Sequence, residues 1–333
     1  MSPQPARAAL AADPLWVPLL THYRGGAPVA VDDARMAAHV AHLRPNVRQF
    51  LLAGSTGDGW ELSVRQLLAL ARLARDPGVF DRGARVLFGL LRGTTDEVIL
   101  WAEALEQNFL DQGAPAGEFL GYAVCPPIDA GASQDAIRRH YQRVLKATTR
   151  PIAVYELPQV TGCSIAPETL RALSQDPRII LFKDTGGVDA VARAGAVAQI
   201  VMLRGAEGGY AEALKPTGPY DGWLLSTANV FAREFREVLR LRDAGRAAAA
   251  RELSDTLSRQ IAASFESAES LPFGNAFSNA NRAGDHILAW GAQWRDAPPP
   301  LAVSGETLPR ALLKAAAESL GRHPGIPERG YLA

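Results

Sequence analysis

Cys125 and Cys163 are the only two cysteines in this 333-residue sequence, and they form neither a CxxC pair nor a cysteine–histidine zinc pattern. Both are expected to be free buried thiols, and no metal site is expected. Neither sign of charge is in excess, since 35 basic residues balance 35 acidic ones. Without a basic stripe interleaved with aromatics, a nucleic acid or an anionic membrane is not the expected partner. No apolar run is long enough to span a bilayer, and the opening MSPQPARAALAADP lacks the continuous apolar core of a leader. The expected compartment is the cytoplasm and the expected partner a small molecule. No internal repeat appears beyond a strand–helix alternation, and low complexity is confined to Ala247 to Ala250.

What is present is enough apolar material, 47% of the residues, to bury one large core. Short apolar runs alternate with helical patterns. The predicted strands are Leu15 to Leu20, Gln49 to Ala53, Arg85 to Leu90, Phe119 to Val124, Ile152 to Tyr155, Ile179 to Lys183, Ile200 to Leu203 and Gly222 to Leu225. Helical patterns fall between them, at Asp33 to Leu43, Val64 to Arg75, Thr95 to Leu110, Asp135 to Ala147 and Pro167 to Ser174. Eight such units predict an α/β fold, a closed (β/α)8 TIM barrel, over residues 12–245. After about Phe231 only helical patterns remain, at Arg233 to Ala244, Ala247 to roughly Ser267 and Leu308 to Leu320, and residues 246–333 are expected to form a helical extension packed beside the barrel. Pro298 to Pro300 interrupt it as a stiff linker.

Barrel chemistry sits at the carboxyl ends of the strands. Lys183 closes the run Ile179-Ile180-Leu181-Phe182 just before Asp184-Thr185-Gly186-Gly187. Apolar surroundings disfavour an ammonium, so an amine there is poised to attack a carbonyl carbon. Tyr155 ends the preceding strand and could carry protons for it. Gly54-Ser55-Thr56-Gly57 follows the second strand, where two hydroxyls and a sharp turn could hold a carboxylate. Together they describe a site for a 2-oxo acid, with Ser55 and Thr56 on the carboxylate and Lys183 on the ketone. A phosphate site in such a barrel would need a glycine-rich loop after strand seven or eight, and only Gly208-Gly209 offers one.

The segments LLAGSTGDGWELS, VYELPQVTGCSIAPETLRAL, IILFKDTGG, GWLLSTANVF and PPPLAVSGETLPRALL resemble the pyruvate-dependent class I aldolases and dehydratases, the family of dihydrodipicolinate synthase and N-acetylneuraminate lyase. The resemblance implies a Schiff base on Lys183, proton transfer by Tyr155 and carboxylate binding by Ser55 and Thr56, without any cofactor. It implies a homo-oligomer, a dimer or a tetramer. Glu207 and Ser226 match positions where sialic-acid lyases hold the polar tail of the substrate, so a sugar-acid-derived 2-oxo acid is expected. Aldolase and dehydratase share the first step, and a relative that binds a 2-oxo acid without turning it over is the alternative.

The departures from the family pattern narrow these expectations. Val160 stands where dihydrodipicolinate synthases carry an arginine for a second carboxylate, so that reaction is not expected. Ile128 and Asp129 occupy the region of a tyrosine that reaches a neighbouring subunit in many relatives. Either His22, Tyr23 or Asp129 replaces it, or the activity is changed. Asp58 replaces the usual glutamate of the loop, and Glu156 a common asparagine.

Overall fold

The structure is a computed structural model describing residues 10–26, 29–195, 197 and 199–333. Eight strands close into a parallel barrel: β1 (Leu15–Pro18), β2 (Gln49–Leu52), β3 (Arg85–Gly89), β4 (Glu118–Val124), β5 (Ile152–Glu156), β6 (Ile179–Asp184), β7 (Val201–Arg204) and β8 (Gly222–Leu224). Each pairs with its neighbours in sequence, and β8 pairs with β1. Covered on both faces, such strands read as unbroken apolar runs rather than as alternations.

Successive side chains still point to opposite sides of the sheet. Trp16, Leu51, Leu87, Ala123, Ala153, Leu181, Val201 and Leu224 cluster in the lumen. Val17, Phe50, Phe88, Val124, Val154, Phe182, Met202 and Trp223 belong to the outer core beneath the helices. Counting by two from Ala153 and Leu181 reaches Tyr155 and Lys183, which are partners in the β5–β6 ladder. Both therefore face inward, one layer closer to the carboxyl end of the barrel. Tyr155 packs there with Leu91, Cys125 and Leu157. Cys125 and Cys163 are free and buried, as expected.

The connecting helices are α1 (Asp33–Leu43), α2 (Val64–Ala74), α3 (Thr95–Gln112), α4 (Gln134–Ala147) and α5 (Pro167–Leu173). The starts of the first four are set by side chains that accept from otherwise unpaired backbone N–H groups, each contributing about 1 kcal/mol, and α5 starts on Pro167 instead. Ser63 with Gln66 and Thr94 with Glu97 form reciprocal capping boxes, and Asp32 and Ser133 cap α1 and α4. Among the described residues, only single helical turns follow β6 and β7, Ala190–Arg193 and Tyr210–Ala213.

The C-terminal part holds α6 (Ala228–Asp243), α7 (Ala247–Glu269), α8 (Ala276–Trp290) and α9 (Arg310–Arg322). Three of these correspond to helical patterns in the sequence; α8 does not. It is buried along nearly its whole length, yet Asn279, Asn281, Arg282, Asp285 and His286 are among its buried residues. Its apolar positions Ala280, Ala283, Ile287 and Leu288 are small or few and flanked by these buried polar residues, so the sequence pattern passes over it. Pro298 to Pro300 lie outside helix and strand. No helix among the described residues is long and apolar enough to cross a membrane.

Candidate active site

Lys183 and Tyr155 meet at the carboxyl end of the barrel, with Nζ of the lysine 3.8 Å from the centre of the phenol ring. The lysine is 5% exposed and the tyrosine 2%. Burial pushes the Lys183 ammonium down to about 7, and Cys125 and Glu207 only partly oppose it. Burial also pushes the Cys125 thiol up, so it stays protonated near neutrality, leaving Glu207 as the nearby anion. The same burial pushes the Tyr155 phenol well above its ordinary range, against the hydroxyls of Thr185 and Ser55. Near pH 7 the pair is thus an amine with roughly half of its population free, over a protonated phenol.

Room for the lysine comes from Gly205, at the end of β7. A Cβ there would lie 2.7 Å from Lys183 Cε and 2.9 Å from Thr185 Oγ1. The glycine is a steric requirement of the amine's position.

Ser55 and Thr56 sit in the single 3₁₀ turn Ser55–Gly57 after β2. Ala53 and Asp58, on either side of it, both have positive φ, 51° and 58°, which non-glycine residues hold only when their surroundings fix them. Those surroundings come from far along the chain. Asn275 Nδ2 donates to the Ser55 carbonyl at 3.2 Å and Ser278 Oγ to the Thr56 carbonyl at 2.9 Å. Thr21 Oγ1 donates to the Gly57 carbonyl at 2.8 Å. Tyr23 and Arg282 both donate to Asp58 Oδ2, at 2.8 and 2.5 Å.

On the other side, Glu207 accepts from Ser226 Oγ at 2.8 Å, Thr227 Oγ1 at 2.7 Å, the Thr227 amide at 3.3 Å and Tyr210 OH at 3.0 Å. Burial raises its carboxyl above the ordinary range, and these donors oppose that only in part. Ser55, Thr56, Tyr155, Lys183, Glu207 and Ser226 all line one cavity of about 200 Å³, closed further by Leu157, Gln159, Thr185, Phe265 and Phe277.

A family model for the dihydrodipicolinate synthetase family matches residues 28–277. The chain belongs to that family, one of class I aldolases and lyases. The 4-hydroxy-tetrahydrodipicolinate synthase 1 of Streptomyces coelicolor is 28% identical over 68% of this chain and 70% of its own length. The match to the Rickettsia bellii 4-hydroxy-tetrahydrodipicolinate synthase, also 28% identical, takes in 43% of this chain and only 45% of that protein. Among solved structures, CdNal from Clostridium difficile in complex with mannosamine superposes with a TM-score of 0.75 at 14% identity, over 93% of this chain and 98% of that one. YagE from E. coli, a dihydrodipicolinic acid synthase family protein in complex with pyruvate, gives 0.71 at 21% identity, over 92% and 97%. At such identities these two show the shared barrel.

Positions where this family member departs from the pattern fall mostly outside the cavity. Val160, on the turn Pro158–Thr161, is 39% exposed and does not line it. Ile128 is 50% exposed and Asp129 is exposed beside it. Tyr23 is committed to Asp58 behind the loop, and burial and the Asp58 carboxylate push its phenol far up. None of these lies on the cavity wall. Glu156 points to the outer side of β5, where it accepts from the Ile165 amide at 2.8 Å and burial pushes it up to about 7.

His22, His39 and Asp285 bring ligand atoms within 4.8 Å of one another. The donor set nevertheless fits a hydrogen-bond network better than a cation. Asp285 already accepts from Arg35 at 3.0 Å and Tyr331 at 2.6 Å, and His22 and His39 bond to each other at 2.9 Å. Against its desolvation, His39, His22 and Arg35 hold the Asp285 carboxyl well below its usual range.

Phe265, Phe277, Gly205, Thr185, Leu157 and Gln159 are cavity residues that the sequence did not single out. Gly205 and Leu157 lie just past strand ends, a position that could have marked them. The two phenylalanines stand in α7 and α8, where no local pattern connects them with the barrel mouth.

Proposed function

We propose that this chain is a Schiff-base lyase that makes, breaks or dehydrates a 2-oxo acid through an imine on Lys183. The observation that carries this reading is the buried, inward-facing amine, lowered to about 7 and set 3.8 Å from the ring of Tyr155. Ser55 and Thr56 would hold the carboxylate of the 2-oxo acid and so fix its ketone against Nζ. Attack by the free amine and loss of water give an iminium. Its positive nitrogen then draws the electron pair of the bond that breaks at C3, whether to carbon or to hydrogen. Tyr155, kept protonated by burial, is the proton source for the oxygen that departs or forms.

The second carboxylate of the dihydrodipicolinate reaction has no countercharge in this cavity. Among the described residues lining it, Lys183 is the only cation. The sugar-acid tail expected of Glu207 and Ser226 also loses its main acceptor, because Glu207 is occupied by four donors of the protein itself.

Incubation with pyruvate and borohydride, read by peptide mass spectrometry, tests the reading. One reduced pyruvate adduct per chain on Lys183, lost in Lys183→Ala, is expected. Adducts on surface lysines alone, with turnover persisting in Lys183→Ala, would refute it. A single adduct on Lys183 with no turnover of any 2-oxo acid would leave a protein that binds rather than converts its ligand.

A further inference from the structure

We infer that the carbonyl compound handled beside the 2-oxo acid carries a flat, neutral, apolar group, an aryl aldehyde in chemical class. This rests on the imine reading of Lys183, and it is argued from the wall that faces the amine.

A carboxylate offers about four lone-pair positions to hydrogen-bond donors. All four of those of Glu207 are taken up by Ser226, Tyr210 and the side chain and amide of Thr227. The residue best placed to hold hydroxyl groups of a substrate therefore has no acceptor left for them, and Ser226 has spent its proton on Glu207. Only the neutral Gln159 and Thr185 remain to meet the hydroxyls of a polyol, and every further hydroxyl left unpaired in this buried site would be costly.

The rest of the wall is mainly apolar, with Gln159 and Thr185 as its neutral polar side chains. Phe265 from α7 and Phe277 from α8 meet edge to face, with ring centres 4.7 Å apart at 84°, and both line the cavity together with Leu157. Phe277 is 44% exposed, so part of its side chain is left uncovered by the protein. Aromatic rings favour such edge-to-face and offset neighbours, and a ligand ring can extend the pair. With Lys183 committed to the imine, no other cation among the described lining residues could attract an acidic tail. The cavity of about 200 Å³ lies below the usual span of small-molecule pockets, which begins at roughly 300 Å³. It suits a 2-oxo acid with a single ring, not a long chain.

The step balances without a further reactant. The iminium loses a proton from C3 to give the enamine, whose electron pair forms a bond to the aldehyde carbon. The carbonyl electron pair moves to oxygen, which takes a proton. Water then adds to the iminium carbon and frees Lys183 and a 4-hydroxy-2-oxo acid. The reverse order describes cleavage.

The full chain would first be trapped with pyruvate alone, then assayed with pyruvate plus benzaldehyde, glyceraldehyde or aspartate semialdehyde. The expected result is trapping on Lys183 and a kcat/KM for benzaldehyde at least ten-fold above the other two. Phe277→Ala should lower the benzaldehyde value by roughly five- to ten-fold, several times more than it lowers the glyceraldehyde value. Trapping with preference for glyceraldehyde or the semialdehyde, or with no condensation at all, overturns the aryl assignment and leaves the imine standing. An equal loss for every aldehyde in Phe277→Ala also overturns it, since the ring would then serve the fold. Absence of trapping overturns the imine, and this inference with it.

Discussion

Arg282 on α8 donates to Asp58 at 2.5 Å across 224 residues of sequence, and both side chains are buried, 1% and 2% exposed. The pair joins a C-terminal helix to the loop that presents Ser55 and Thr56. A buried ion pair adds little net stability by itself, but removing one partner strands the other charge in a dry site. Arg282→Met is therefore expected to cost about 3–5 kcal/mol in thermal or denaturant unfolding. It should also raise the pyruvate concentration needed for half-maximal trapping, because Asp58 and with it the positive-φ turn lose their anchor. Arg282→Met combined with Asp58→Asn should recover part of the loss. A single variant as stable as the parent would show that the pair does not hold the loop.

The lowered Lys183 pKa sets a pH dependence with a definite sign. Imine formation needs the free amine, so kcat/KM should rise with pH through about 7 and then level off. Glu156 is also pushed up to about 7, and Glu156→Gln is the control that should keep the inflection. Stability moves in the same direction. Between about 7 and the unfolded lysine value near 10.4, the unfolded chain holds a proton that the folded one has released, so this residue makes stability increase with pH in that window. Lys183→Met should flatten that slope and stabilise the fold at neutral pH. A flat rate profile between pH 6 and 8 would contradict the lowered amine.

Gly205→Ala isolates position from chemistry. The added methyl would lie 2.7 Å from Lys183 Cε, and the middle of that side chain must move to admit it. A displacement of about 1 Å at a reacting group can cost on the order of a hundred-fold in rate. The backbone at Gly205 is not among those with positive φ, so the fold should persist, with little change in unfolding temperature. Slow trapping with a near-normal melting curve is the expected pattern; full activity would mean that Lys183 has more room than the structure gives it.

Much of this arrangement is written locally in the chain. Lys183 and Tyr155 close apolar runs, and a side chain that ends a barrel strand on the inward side must face the mouth. Ser55 and Thr56 are marked by the glycines around them. Glu207 and Ser226 could be placed near the site, but nothing local says that one donates to the other. Arg282, Asp285 and His286 could not be read at all, because their partners, Asp58, His39 and the Trp294 carbonyl, are set by packing rather than by spacing. Phe265 and Phe277 are ordinary helix residues until α7 and α8 are folded over the barrel mouth.

The role of Tyr155 can be separated from its packing. Tyr155→Phe keeps the ring 3.8 Å from the lysine nitrogen and removes only the hydroxyl. The ring and the burial that lowers Lys183 both survive, so the inflection near 7 should stay where it is. If the phenol delivers protons, turnover should fall by a hundred-fold or more, with a much smaller effect on substrate binding. Borohydride should still trap pyruvate on Lys183, because the nucleophile remains intact, but the adduct should form more slowly if dehydration to the imine uses the same proton. Wild-type turnover in this variant would assign Tyr155 to the core with Leu91, Cys125 and Leu157, and would move the proton transfer to another group.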